Sequence, residues 1–214
     1  MPTVPPTTSR RPGRPPAAKA DETRKRIVRA AREVFSERGY DGATFQAIAV
    51  RADLTRPAIN HYFSSKRLLY REVVEQTNEL VVTAGIEQAK RATTLMARLT
   101  EFIGVAMHAH SENPSVSAFL VTTVLESQRH PELSRAQNEA VVISREFLNW
   151  AVNDAIECGE LKTDTDVPSL AETLLIVLCG VGFYAGYLRS YQEMQAVTET
   201  LRHLLEGAFW VQQT

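Results

Sequence analysis

Apolar residues recur at intervals of three and four along most of the chain, and this spacing predicts an all-α protein. Side chains at these intervals share one face of a helix, which marks the side that packs against a core. No alternating strand pattern of useful length interrupts it. The predicted helices cover residues 21–38, 45–52, 56–63, 66–85, 95–110, 114–129, 132–158, 168–189 and 194–210.

Two short helical patterns lie three residues apart between Thr44 and Lys66. Thr44 and Thr55 each precede one pattern, where a hydroxyl oxygen accepts a hydrogen bond from a free N–H group of the first turn. Pro57 falls in the first turn of the second pattern, where a missing N–H costs little. Helix, short turn and helix is the layout of a helix-turn-helix, whose second helix lies in the major groove of DNA.

The second short helix offers polar side chains to a partner. Ile59 and Phe63 repeat one turn apart and face inward, so Arg56, Asn60 and His61 face outward. Arg bonds the O6 and N7 atoms of guanine, and Asn bonds the N6 and N7 atoms of adenine. The alternative is a small helical corner whose polar residues are merely solvated.

The run from Thr44 to Leu69, TFQAIAVRADLTRPAINHYFSSKRLL, resembles the signature of the TetR family of bacterial transcriptional regulators. Asp53 and Asn60 depart from that signature, which usually has glycine in the turn and an aromatic residue within the second helix. The resemblance implies a helix-turn-helix domain at 21–68, followed by an effector-binding and dimerisation domain at 69–214. The matching positions are Thr44, Ile48, Ala49, Ala52, Thr55, Tyr62, Phe63, Lys66 and Leu68.

Charge is divided unequally between the two ends of the chain. Residues 1–71 contain fifteen Lys and Arg against six Asp and Glu, a net of +9. Residues 72–214 contain nine against nineteen, a net of −10. Such asymmetry indicates a nucleic-acid-binding end joined to a domain with another task.

Residues 1–20 form a proline-rich basic arm, which the sequence predicts to be disordered. Its segment Arg10-Arg11-Pro12-Gly13-Arg14-Pro15-Pro16 resembles an AT-hook, which lies in the minor groove of A·T-rich DNA. The alternative is a solubilising tail with a general attraction to phosphate. The candidate DNA-binding residues are Arg10, Arg11, Arg14, Thr44, Thr55, Arg56, Asn60, His61, Tyr62 and Lys66.

The helix predicted at 168–189 is apolar on every face in its second half, so another element must cover it. Its longest uncharged stretch, residues 173–188, is shorter than the roughly twenty residues of a membrane span. A second copy of the chain or the core of a monomer can provide the cover, and the family resemblance implies a homodimer. The candidate interface residues are Leu178, Gly182, Gly186, Leu201 and Leu205.

Large or soft side chains lie on the inner faces of several predicted helices, where they form either an apolar pocket or plain core. The resemblance implies a small apolar effector that releases DNA. The candidate pocket residues are Phe102, Met107, Phe119, Thr123, Trp150, Phe183, Tyr184 and Tyr187.

Motifs of catalysis and cofactor binding are absent from the sequence, which has no Gly-rich phosphate loop, no H-E-x-x-H and no G-x-S-x-G. A metal site would require distant histidines to converge, so we expect no metal, cofactor or enzymatic activity. Cys158 and Cys179 lack metal-ligand spacing and suit a reducing cytoplasm, although one disulfide stays open. The N-terminus has no apolar signal-peptide core, which agrees with a cytoplasmic protein.

Two functions remain open at this point. The first is an effector-responsive repressor that binds palindromic operator DNA as a homodimer. The second is a helical lipid-binding module or enzyme whose basic N-terminal end contacts acidic partners.

Overall fold

The computed structural model describes residues 16–133, 135–185 and 191–205, together with Gly207. These residues form helices joined by short turns, and they contain no strand, so the predicted all-α class is confirmed. The helices are α1 (Pro16–Gly42), α2 (Phe45–Arg51), α3 (Arg56–Tyr62), α4 (Lys66–Asn78), α5 (Ala84–Ala89), α6 (Leu95–Glu112), α7 (Ser115–Arg129), α8 (Arg135–Glu157), α9 (Val167–Ala185) and α10 (Tyr191–Leu205).

The helices lie close to the predicted ranges, and two differences affect the description of the fold. Helix α1 begins at Pro16, so the expectation of a non-helical arm through residue 20 is wrong for its last five residues. A proline at the first helical position lacks only an N–H group that would have no partner there, and the alanines that follow favour a helix. Helix α4 continues through a π-helical segment, Glu79–Thr83, into α5.

Helices α1, α2 and α3 form a compact unit that we call the reading head. Its core contains Phe35, Ile48 and Ile59, all fully buried. The first turns of α4 add Leu69 and Tyr70 to this core, and α7 adds Phe119. The reading head therefore shares its core with the helices that follow it.

The second core lies between α5, α6, α8 and α9. Gly85 of α5 lies so close to the ring of Phe102 that a Cβ atom there would come within 2.8 Å of it. The buried Arg98 of α6 stacks on Trp150 and lies 2.7 Å from Asp154 Oδ2 of α8. That contact is an ion pair between a buried guanidinium and a partly exposed carboxylate. The close packing at Gly85 therefore joins α5 to α6, and the ion pair joins α6 to α8.

Helix α9 is long and apolar enough to cross a membrane by length and composition alone. The core helix of a soluble protein has the same length and composition, so these two properties do not indicate a membrane span by themselves. Its residues Ala171, Leu174 and Leu175 are buried in the second core, and Glu172 forms an ion pair with Arg145 of α8. These contacts place one side of α9 inside the helical domain.

Candidate DNA-reading surface and effector cavity

The local sequence determines both ends of α3. Thr55 accepts a hydrogen bond from the Ala58 N–H at 3.3 Å, and Pro57 occupies the first turn. Thr44 caps α2 in the same way, through the Ala47 N–H at 3.1 Å. The two caps expected from the sequence are therefore confirmed, and they fix where each helix starts.

The outer side of α3 presents the side chains that the sequence selected. Ile59 is fully buried beneath the helix, whereas Arg56, Asn60 and His61 are exposed. Arg56 and Asn60 are one turn apart, so they share a face. The ring of His61 lies edge-on to Tyr62, with centroids 5.4 Å apart. The structure therefore places these three polar side chains together on the solvent side of α3.

The turn between α2 and α3 depends on Asp53. This residue has a positive φ of 51°, and the Leu54 N–H bonds the carbonyl of Ala49 at 2.9 Å. A left-handed backbone favours glycine, but Asp tolerates it because its short side chain bonds locally. The departure from the family's usual glycine therefore leaves the turn intact.

Lys66 is one of the candidate DNA-binding residues, where a lysine would contact phosphate, and the structure gives its ammonium group other partners. The Nζ atom donates to the carbonyl oxygens of Tyr40 at 2.7 Å and Ala43 at 3.1 Å, and it lies over the Tyr40 ring. These contacts tie the first turn of α4 to the loop between α1 and α2. A phosphate contact would require the side chain to leave them.

Two arginines of the basic half are paired within the protein, which sequence reasoning missed. Arg51 donates to Glu33 and to both oxygens of Glu37, and its guanidinium lowers the pKa of the Glu37 carboxyl. Arg24 donates to Glu72 and lies over the Phe63 ring, 4.4 Å from its centroid. The excess of basic residues therefore overstates the cations available to DNA.

A cavity of about 200 Å³ lies between α6, α9 and α10. The walls from α6 and α9 are mostly apolar, while α10 adds polar side chains along one edge. The lining residues are Met96, Leu99, Thr100, Ile103, Gly104, Met107, Leu174, Val177, Leu178, Gln195, Thr198, Glu199, Leu201, Arg202 and Leu205. A small, mainly apolar molecule suits such a space.

Comparisons with known proteins agree with this geometry. Residues 27–73 match the model described as "Bacterial regulatory proteins, tetR family", and residues 95–201 match "Tetracyclin repressor-like, C-terminal domain". The chain belongs to the TetR family. It is a DNA-binding transcriptional regulator of the helix-turn-helix type, and the similar proteins named below are regulators as well.

Relatives resemble this regulator over most of its length. The transcriptional regulator SrpR of Pseudomonas putida is 30% identical over 202 residues, which cover 91% of this chain and 86% of SrpR. UidR of Escherichia coli K12 is 25% identical over 162 residues, covering 76% and 81%. FadR of Bacillus subtilis, solved in complex with stearoyl-CoA, has a TM-score of 0.70 at 21% identity, covering 85% and 96%.

Most predicted pocket residues lie outside the cavity. Met107 lines it, whereas Phe102 packs in the second core. The assignment of Phe119 to the pocket is corrected, because this residue is fully buried against Phe35 and Tyr70 in the core of the reading head. Trp150 is partly exposed beneath Arg98. Inner-face spacing identified buried residues but could not show which helices diverge enough to leave space.

The remaining pocket residues have other environments. Thr123 is buried, and its hydroxyl donates to the carbonyl of Leu120 at 2.7 Å. Phe183 and Tyr184 are about half exposed on α9. Tyr187 lies outside the described residues, as do Arg10, Arg11, Arg14 and Gly186. Thr123, Phe183 and Tyr184 are not among the residues that line the cavity.

Three of the predicted dimer residues line the cavity, namely Leu178, Leu201 and Leu205. Gly182 is partly buried, and a Cβ atom there would meet open space. Two-thirds of the Ile176 surface is exposed on α9. Part of α9 thus presents an apolar surface to its surroundings in the single chain.

The C-terminal end of α7 meets the reading head through charged groups. The Nε2 atom of His130 lies 3.1 Å from Asp41 Oδ2 and 3.7 Å from Oε2 of the buried Glu126. Glu126 in turn lies against Gly39, where a Cβ atom would be 2.7 Å from Oε1. Together with the buried Phe119, these contacts connect α7 directly to the reading head.

The histidines do not form a metal centre in the part of the chain that the structure describes. No group of three His, Cys, Asp or Glu residues there is arranged to hold an ion. His110 contacts the Ser117 hydroxyl at 2.6 Å, and burial lowers its pKa. His108 lies near Glu112, and His203 lies near Glu199.

Proposed function

We propose that this regulator is a cytoplasmic repressor that binds palindromic operator DNA as a homodimer and releases it when a small apolar effector binds. The observation that carries the proposal is the outer face of α3. Arg56 and Asn60 are exposed one turn apart on a helix held in place by the Thr55 cap and the buried Ile59. These side chains have the donors and acceptors that distinguish guanine and adenine in the major groove.

Replacing both reading side chains tests the proposal. In Arg56→Ala with Asn60→Ala, sequence-specific DNA binding should disappear, while the circular dichroism spectrum and thermal unfolding stay unchanged. A bidentate base contact contributes about 1–3 kcal/mol of discrimination, so the loss should reach about tenfold or more. Binding is measured by footprinting on genomic fragments that the unaltered protein selects.

A matched control removes the same residue types elsewhere. Arg91 and Asn153 are exposed in the effector domain, far from α3 in sequence. Arg91→Ala with Asn153→Ala should retain specific DNA binding. If the α3 variant retained its footprint as well as the control does, the assignment of base reading to Arg56 and Asn60 would be wrong.

The homodimer follows from the demands of a palindrome and from the exposed surface of α9. Two recognition helices read half-sites about 34–36 Å apart on one face of DNA, and a two-fold dimer supplies both. Ile176, Phe183 and Tyr184 provide exposed apolar surface for a partner. For effector binding to release DNA, the effector must bind more tightly to the form of the dimer in which the distance between the reading heads does not match the half-sites.

A further inference from the structure

The cavity between α6, α9 and α10 has walls of two different kinds. Met96, Leu99 and Ile103 of α6 face Leu174 and other aliphatic side chains of α9. The α10 wall carries Gln195, Thr198, Glu199 and Arg202, which share one helical face because they lie at i, i+3, i+4 and i+7. A ligand held here would contact an apolar surface and a polar stripe together.

The charges of the polar stripe already compensate one another. Arg202 Nε lies 3.1 Å from Glu199 Oε2, and Arg202 Nη2 lies 2.6 Å from Glu199 Oε1. The bidentate contact lowers the pKa of the Glu199 carboxyl. Thr198 also uses its hydroxyl within α10, through the Met194 and Gln195 carbonyls. A ligand thus meets a polar surface with no net charge from this pair.

We propose that the cavity binds a small neutral amphiphile, with one hydrogen-bonding group such as a hydroxyl or carbonyl on a short apolar body. A ligand carboxylate would compete with Glu199 for Arg202, and a ligand ammonium would compete with Arg202 for Glu199. Either competition separates a charge-assisted pair, and a charged ligand would also have to leave water to enter between the apolar walls. A neutral group bonds at the edge of the pair without opening it.

The volume limits the size of the ligand. The cavity of about 200 Å³ lies below the range of roughly 300–1,000 Å³ for drug-sized ligands. A short chain or a single ring fits this space, whereas the stearoyl chain in the Bacillus subtilis structure is far longer. The inference therefore deepens the proposed function, on which it rests, by naming a size and a charge class.

The position of the cavity also indicates how the ligand would act. Leu178 of α9 and Leu201 of α10 line the cavity, and both are among the residues that the sequence predicts for the dimer interface. A molecule between α6 and these helices would therefore change the placement of α10, and with it the surface that meets the second subunit. The ligand would alter the spacing of the two reading heads through this contact.

A series of compounds with one carbon skeleton tests the charge class. We would titrate the full-length protein with 1-hexanol, hexanoate and hexylamine by isothermal calorimetry. The alcohol should bind at least about tenfold more tightly than either ion, a difference of about 1.4 kcal/mol. Tighter binding of hexanoate or hexylamine, or no binding of the alcohol up to about 1 mM, would overturn the inference.

Gly104 allows the location to be tested without disturbing the fold. A Cβ atom at Gly104 meets nothing within 4 Å, although the residue lines the cavity. Gly104→Leu should fill the space and weaken alcohol binding at least about tenfold, because the ligand loses its volume. His108→Leu, on an exposed face of the same helix, should bind the alcohol as the unaltered protein does. Equal binding by Gly104→Leu would place the ligand elsewhere.

Glu199→Gln tests the role of the ion pair. Removal of that carboxylate takes away the bidentate acceptor of Arg202 and leaves a net positive charge at this wall, so the preference should shift from hexanol to hexanoate. An unchanged preference would remove Arg202 and Glu199 from the site. Specific DNA binding measured without ligand tests the proposed function separately: a protein that retains its footprint and binds none of the three compounds refutes only this inference.

Discussion

Gly39 ends the regular part of α1 with a backbone that other residues rarely adopt. Its φ of 69° and ψ of 179° lie in a region that is essentially restricted to glycine. A Cβ atom would also come within 2.7 Å of Glu126 Oε1. Gly39→Ala should therefore lower the free energy of unfolding by about 1–3 kcal/mol, measured by urea denaturation.

Gly104 provides the opposite case at the scale of one residue. It lies inside α6 with helical geometry and open space around its missing side chain. Gly104→Ala should raise the free energy of unfolding by up to about 1 kcal/mol, since alanine loses less backbone entropy in a helix. If Gly39→Ala raised the free energy of unfolding as well, the strain assigned to Gly39 would be wrong.

Lys66 holds the first turn of α4 to the reading head. Measurements of stability and of salt dependence can distinguish this structural role from a phosphate contact. Loss of its bonds to the Tyr40 and Ala43 carbonyls in Lys66→Met should lower the free energy of unfolding by about 1–2 kcal/mol. Arg71→Met removes an exposed charge from the same helix and should leave it nearly unchanged. A purely phosphate-binding Lys66 would instead alter the salt dependence of DNA binding at constant stability.

Two ion pairs that join neighbouring helices should differ in strength because their burial differs. Arg98 is buried, so Asp154→Asn leaves a guanidinium inside the protein without its carboxylate and should cost about 1–3 kcal/mol. Arg145 and Glu172 are both more than 40% exposed, and Glu172→Gln should have the smaller effect. Thermal denaturation of the two variants compares them directly, and equal losses would contradict the assigned role of burial.

The elements were largely predictable from the sequence, whereas contacts between distant elements were not. The Thr44 and Thr55 caps follow from local chemistry, and so does Gly39 at the end of the regular part of α1. Phe119 was assigned to a pocket because periodicity marks it as buried without showing which core it joins. The partners of Lys66 are backbone carbonyls 23 and 26 residues away, which carry no signal in the sequence.

The proposed dimer is a property of the whole molecule, and two exposed aliphatic residues allow it to be tested. Ile176 on α9 is 67% exposed, and Val50 on α2 is 71% exposed. Ile176→Lys should shift the protein from dimer to monomer in sedimentation velocity, because a charge at an apolar interface is costly to bury. Val50→Lys should remain dimeric, since α2 lies in the reading head. A monomeric unaltered protein, or a dimeric Ile176→Lys variant, would exclude this surface.

Affinity for DNA should depend on the N-terminal arm as well as on the reading head. Deletion should stop at residue 15, because residues 16–20 belong to α1. The deleted segment carries Arg10, Arg11 and Arg14. The plot of log affinity against log salt has a negative slope. Removing these charges should make it shallower by up to about 2.7 per chain, or about 0.9 for each phosphate that the arm neutralises.

Two further measurements separate charge from insertion into the minor groove. The full-length chain with Arg10, Arg11 and Arg14 replaced by Gln keeps the length of the arm and should reproduce the change in slope. An arm that lies in the minor groove should contribute more affinity when A·T pairs flank the operator, because the width of that groove and its base edges differ there from those of G·C pairs. Equal contributions on A·T-rich and G·C-rich flanks would leave only a general attraction to phosphate. A slope unaffected by the deletion would remove the arm from the interface.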